Sequence, residues 1–197
     1  MKFYALLLII WMSIIVCGTG CKSRTAPAGG SQQDTSVADK EYYPITAYIQ
    51  SQLRWLDSVP LAVIKYTTIN HQTDTSIIEK ENFNTIAGKL FSPDISDSPL
   101  KDQYNEVSFI DESLGTVSLT YAATNDSALV RKADVLLTQS NTTVSTIYIE
   151  KIYRATDSTV TQKILWTANK SCLVTTITRR TGIPEKVAEE KYVWNDR

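Results

Sequence analysis

Histidine occurs once in this 197-residue chain, at His71, and glycine only seven times. A single imidazole excludes metal centres and bases built from paired histidines. One Ser–His or Cys–His couple remains possible, yet no Gly-x-Ser-x-Gly elbow is present to offer a serine nucleophile. His71 falls in the polar stretch INHQTDTS, which predicts a loop between a strand and a helix, with Asp74 near enough to orient it. Scarce glycine leaves little room for a phosphate-cradling loop, and the oxygen-ligand spacing of an EF-hand is missing. An excess of one charge is lacking as well, since the formal net charge is −1. That balance gives no basic surface for nucleic acid and no polybasic patch for anionic lipid. No cofactor or metal is implied.

The acidic residues do not fill the gap. Glu106, Asp111 and Glu112 lie in NEVSFIDES, a strand-like run. Side chains on a strand alternate between faces, so Glu106 and Asp111 diverge and do not form the convergent pair of a glycosidase. Asp126, Arg131, Lys132 and Asp134 in DSALVRKADV supply surface charge most simply. These absences together predict a protein that is not an enzyme.

What is present begins at the N-terminus. Lys2 precedes an apolar run from Phe3 to Val16, and small residues follow at Gly18, Thr19 and Gly20. The run is shorter than the roughly 20 residues a membrane-spanning helix needs, and its three parts are those of an export signal. Gly18-Thr19-Gly20-Cys21 resembles the lipobox of bacterial lipoproteins of the Bacteroidota type, with Gly18 where leucine is usual. The resemblance covers the first 21 residues. It implies that residues 1–20, including Cys17, leave as a signal peptide. Cys21 then becomes the first mature residue, bound by a thioether to diacylglycerol, with acyl chains of the palmitate kind. It further implies a cell-envelope location, the membrane being held through the lipid on Cys21 and the bacterial outer membrane being the expected one.

Residues 21–40 change texture. Ser, Gln, Gly, Pro and Asp dominate, with no aromatic or large aliphatic cluster. Such a stretch buries too little apolar area to offset its ordering entropy, which predicts a flexible tether. Residues 41–197 form the remaining unit, long enough for one domain around one core. Cys172 is its single cysteine, in the strand-like SCLVTTIT, so a buried inert thiol is expected.

Two helices are predicted in that domain. In YPITAYIQSQLRWLD, Pro44 suits a first turn, and Ile45, Ile49, Leu53 and Leu56 form one apolar stripe ended by Pro60. In SIIEKENFNTIAGKLF, Ser76 and Glu79 have capping-box spacing, and Phe83, Ile86, Ala87 and Leu90 make the buried face. LAVIKYTTI lies between them as a strand, and after Asp102 the texture is β throughout, with turn clusters between alternating runs. The fold class is therefore α+β: a curved antiparallel meander of about seven or eight strands packed on two helices. This helix-plus-meander pattern resembles envelope lipoproteins of the same bacterial group, a likeness that carries no activity.

Aromatic residues are the most distinctive content. Tyr192 and Trp194 share one strand face, and Trp166 shares another with Ile164. Tyrosine and tryptophan combine an apolar body with a polar tip, so these three are the candidate ligand-binding residues. The expected function is non-enzymatic binding or scaffolding in the envelope, the partner being a protein or a small apolar ligand. A carrier enclosing an apolar ligand in a half-barrel-like cavity is the alternative, and a hydrolase whose site assembles only in three dimensions is the second.

Overall fold

A computed structural model describes residues 41–138 and 143–196. The signal peptide, Cys21 and the 21–40 segment lie outside them. Among the described residues three helices and nine strands follow in the order α1 (Ile45–Ser58), β1 (Val63–Ile69), β2 (Gln72–Ile78), α2 (Lys80–Leu90), α3 (Ser98–Lys101), β3 (Tyr104–Asp111), β4 (Thr116–Ala123), β5 (Val130–Thr138), β6 (Val144–Arg154), β7 (Ser158–Thr167), β8 (Ser171–Arg180) and β9 (Ile183–Val193). The strands make one open antiparallel sheet in the order β2-β1-β9-β8-β7-β6-β5-β4-β3. The expected α+β meander is present from β3 to β9, and β1 closes against β9 with β2 beyond it. Register shifts between Val130 and Lys132, between Leu136 and Leu137 and between Thr178 and Arg180 add local twist and bend.

The helices form where the apolar spacing requires. Ile45, Ile49, Leu53 and Leu56 are the buried residues of α1, and Phe83, Ala87 and Leu90 those of α2. Ile86 packs beside them, half-buried. Pro44 is the residue before α1 and not part of its first turn; its carbonyl accepts from the Tyr48 amide at 3.1 Å. Neither long helix ends on glycine. Lysines serve instead: Lys80 donates to the Leu56 carbonyl at 2.6 Å and to that of Val59, satisfying the C-terminus of α1. The two helices also meet where Asn84 donates to the Asp57 carboxylate at 3.0 and 3.2 Å.

Two expectations fail between Asn70 and Lys80. The predicted loop around His71 is a tight hairpin turn, and the residues after it form β2, paired with β1 from Ile69↔Gln72 to Val63↔Ile78. Asn70 and His71 have φ of 51° and 65°, the left-handed pair a type I′ hairpin turn demands. Ser76 belongs to β2 opposite Lys65, so no capping box forms; Glu79 precedes α2 and makes no side-chain cap. The ladder with β1 satisfies backbone groups that the cap was expected to serve.

Because neighbouring strands run in opposite directions, the hairpin turns at 70–71, 155–157 and 181–182 and the 124–129 loop lie at one end of the sheet. Across β1, β8 and β9 the helices cover one face toward the other end, whereas on β3 to β6 burial reaches the hairpin end at Tyr104, Tyr121, Val130 and Lys151. β8 buries Cys172 and Val174 near its start, β9 buries Tyr192 near its end, β1 buries Val63, and β2 buries nothing. The far halves of β8 and β9, and β2 on the other side of β1, are less covered.

A left-handed conformation at a residue with a Cβ is costly, by about 1–2 kcal/mol for most types. His71→Gly should therefore leave the fold intact and raise its stability by up to about 1 kcal/mol in denaturant melts. A loss of stability would show that the imidazole holds a partner that its turn position does not require.

Candidate functional site

The three aromatics expected to bind ligand are core residues. Trp166, Tyr192 and Trp194 are 0, 1 and 5 % exposed. They stand on the helix-covered face because β7, β8 and β9 put Ile164, Val174 and Cys172 on the same side. Phe83 of α2 descends among them, with ring centroids 6.2 Å from Trp166, 5.1 Å from Tyr192 and 5.4 Å from Trp194. Phe91 meets Trp166 edge-on at 5.6 Å, and the two indoles are 4.9 Å apart. Packing thus consumes the surface that binding would have used. Among the described residues neither indole N–H has a hydrogen-bond partner, a cost that this large apolar contact must offset. Cys172 is buried beside them, and burial pushes its thiol far up, which makes it the inert thiol expected.

At the margin of this cluster Lys65 forms an ion pair with Glu190 at 2.5 Å and lies 5.6 Å over the Tyr192 ring. Burial, then the Glu190 charge, raises the Tyr192 phenol. The group is an ordinary boundary between covered and open sheet.

A second aromatic set fixes the start of the domain. Tyr42 donates to the Tyr104 carbonyl at 2.6 Å and the Lys101 carbonyl at 3.0 Å, and its ring lies 4.9 Å from Tyr121. The Tyr121 hydroxyl accepts from the Tyr43 amide at 3.1 Å. The chain therefore enters the fold beside the first residue of β3.

His71, Glu185 and Glu189 line an open cleft of ≈ 420 Å³ at the hairpin end. Glu185 is held by Arg179 at 2.5 Å, and no group of three metal-ligating side chains exists among the described residues. Asp74 sits in β2 opposite Thr67, on the other face from Thr68 and Thr73, so it does not orient His71 from a loop as expected. Glu106 and Asp111 take opposite faces of β3, as their spacing predicted. Asp111 accepts from the Ser113 hydroxyl at 2.6 Å and from two amides of the following turn, which holds its carboxyl below the usual range. Arg131 pairs with Asp126 and Lys132 with Asp134, the surface role assigned to all four.

Lys151 went unnoticed in the sequence. It is fully buried in β6, on the face of Ile147 and Ile149, and donates to the carbonyls of Ser92 and, at 3.4 Å, Lys89. It therefore neutralises the carbonyl end of α2, as Lys80 does for α1. The alternation I-x-I-x-K carried the signal, a lysine on an apolar stripe. A buried amine of lowered pKa also suits carbonyl chemistry, but this ammonium is enclosed and engaged by the helix end.

Exposed apolar residues lie at Ile69, Ile77, Ile183 and Val187 near the far edge, and in one run on β3. Val107, Phe109 and Ile110 are all exposed, with Leu114 in the turn beyond. The aromatic cluster is buried, whereas this edge is exposed. Compared with protein-family models, curated proteins and solved structures, the chain matches none.

Burial pushes the Lys151 ammonium down to about 8 from its ordinary 10.5. Between those values the unfolded chain binds the proton and the folded chain does not, so stability rises as pH climbs from 8 toward 10. Relative to Lys151→Met, the native protein should gain on the order of 2 kcal/mol over that interval. Parallel melting curves for the two proteins across pH would show that the buried ammonium gives up its proton above pH 8, well before a free lysine does.

Proposed function

We propose that the chain is a lipid-anchored protein of the bacterial cell envelope, held at the outer membrane through Cys21, whose domain works by binding a partner protein and not by catalysis. The observation that carries the binding half is the uncovered sheet. Two long helices shield part of one face, while both edges and the hairpin ends of β1, β2, β8 and β9 are open. Open sheet edges pair readily with extended chains, and natural proteins block them where pairing is unwanted. The anchoring half rests on the lipobox-like Gly18-Thr19-Gly20-Cys21. Two or more acyl chains on one residue would hold the protein firmly, where one would not. Among the described residues no helix is long and apolar enough to cross a membrane.

An enclosed carrier is less well supported. Between α2 and the sheet, where an apolar ligand would sit, Phe83 already touches Trp166, Tyr192 and Trp194. A hydrolase has no observation in its favour.

The test uses photo-crosslinking side chains placed singly at Ile77, Val107 and Ile183 of the full chain in its own cells, with Cys21→Ala as a companion. Capture of one discrete protein from at least one position, together with loss of Cys21→Ala protein from the membrane fraction, is expected. No capture from any position, or hydrolytic turnover abolished by His71→Ala, would overturn the reading.

A further inference from the structure

We infer that the β3 edge is a strand-addition site for an extended segment of a partner protein in which apolar side chains alternate with lysine or arginine. This rests on the binding reading above and names its partner class. β3 pairs with β4 in unbroken register from Tyr104↔Ala123 to Asp111↔Thr116 and, among the described residues, has no strand on its other side. Its sequence, YNEVSFID, has no proline, no lysine and no bulge to block pairing; its charges, Glu106 and Asp111, are both negative and so repel only an acidic strand. The opposite edge contrasts with it, since β2 presents Gln72, Thr73, Asp74, Thr75 and Ser76 before its two isoleucines.

The side chains of β3 specify more than pairing. Val107 and Phe109, 65 and 62 % exposed, stand on one face; Glu106, Ser108 and Ile110, the last 56 % exposed, stand on the face of Tyr121. Leu114, 74 % exposed, extends the apolar surface into the turn. An added strand lays alternate residues against Val107 and Phe109, and turns its other residues toward Glu106. Charge decides what those others are. Asp102, Glu106, Asp111 and Glu112 surround the edge, and no lysine or arginine occurs from 102 to 130. Lys101 stands before the start of the strand, and Arg131 and Lys132 are paired with Asp126 and Asp134. Asp111 is fixed as an anion by its turn. A second copy fits badly, because antiparallel self-pairing of β3 brings the same acids to the same edge.

The experiment titrates the full chain with a capped eight-residue peptide alternating valine and lysine, the length of β3, and with its valine–glutamate counterpart. Saturable binding of the lysine peptide, weakened by added salt over the range where a roughly 10 Å screening length shortens, is expected; the glutamate peptide should not bind. Ser108→Pro should weaken binding at least about tenfold by removing an edge donor. Since that variant risks the local fold, Glu106→Lys with Glu112→Lys is the companion, and it should exchange the preference between the two peptides. Equal binding of both peptides, or binding indifferent to both variants, would overturn the proposal. So would a dimer in sedimentation that Ser108→Pro dissolves, which assigns the edge to a second copy. Protection of β3 amides in the chain alone, lost on deleting residues 22–40, would also overturn it by assigning the edge to the chain itself. If the peptide fails while Ile77 or Ile183 still crosslinks a partner, the strand-addition site falls and the binding reading stands. Failure of the peptide and of every crosslink removes both.

Discussion

Phe83 joins the two layers. Its ring reaches Trp166 of β7, Tyr192 of β9 and Trp194 just past the end of β9, on either side of β8. Burial of aromatic surface on this scale dominates a small core, and its loss by truncation ordinarily costs about 3–5 kcal/mol. Other contacts depend on it. With α2 seated there, its carbonyl end lies over β6, where Lys151 meets it, and its first residue reaches back so that Lys80 closes α1. The segment after α2 is held in turn, because Asp94 accepts from the Thr46 amide at 2.7 Å and the Phe91 carbonyl accepts from the Thr46 hydroxyl at 3.1 Å.

That arrangement also determines what is left open. Two helices of 14 and 11 residues cannot shield a nine-stranded sheet. Exposed sheet needs protection against unwanted pairing, and this side of the sheet has charge: Arg179 with Glu185 across β8 and β9 at the hairpin end, and Lys65 with Glu190 across β1 and β9 at the margin of the covered part. β3 lacks this treatment. Its apolar residues face water on both sides, with acids around them, and the entry of the chain at Tyr42 braces only its first residue. The proposed tether at Cys21, joined to such an edge, suits the capture of an extended segment from a neighbour.

The helical stripes and the meander were legible because periodicity reports burial directly: each of Ile45, Ile49, Leu53 and Leu56 is buried, as spacing requires. β2 was not legible, since a strand exposed on both faces carries no apolar alternation and Asn70-His71 lacks the glycine that usually marks a type I′ turn. Ser76 and Glu79 then matched a capping box that the β1 ladder pre-empts. The aromatic residues were legible as important, but composition does not distinguish a core cluster from a binding face; only the descent of Phe83 does. Lys151 lay in plain alternation, yet its partners are main-chain carbonyls about 60 positions earlier in the chain, which no local pattern reveals. The exposure of β3 was similarly hidden, because Val107, Phe109 and Ile110 look like core until β3 proves to be the last strand.

Residue-resolved amide hydrogen exchange of the full chain most directly tests the claim that the Phe83 cluster holds the fold while β3 is an open edge. Amides of β7 and β8 around Trp166 and Cys172 should exchange only by global unfolding. Alternate amides of Tyr104–Asp111, those turned away from β4, should exchange from the native state orders of magnitude faster. Uniform protection of β3 at the level of β7, or free exchange around Trp166, would contradict the account.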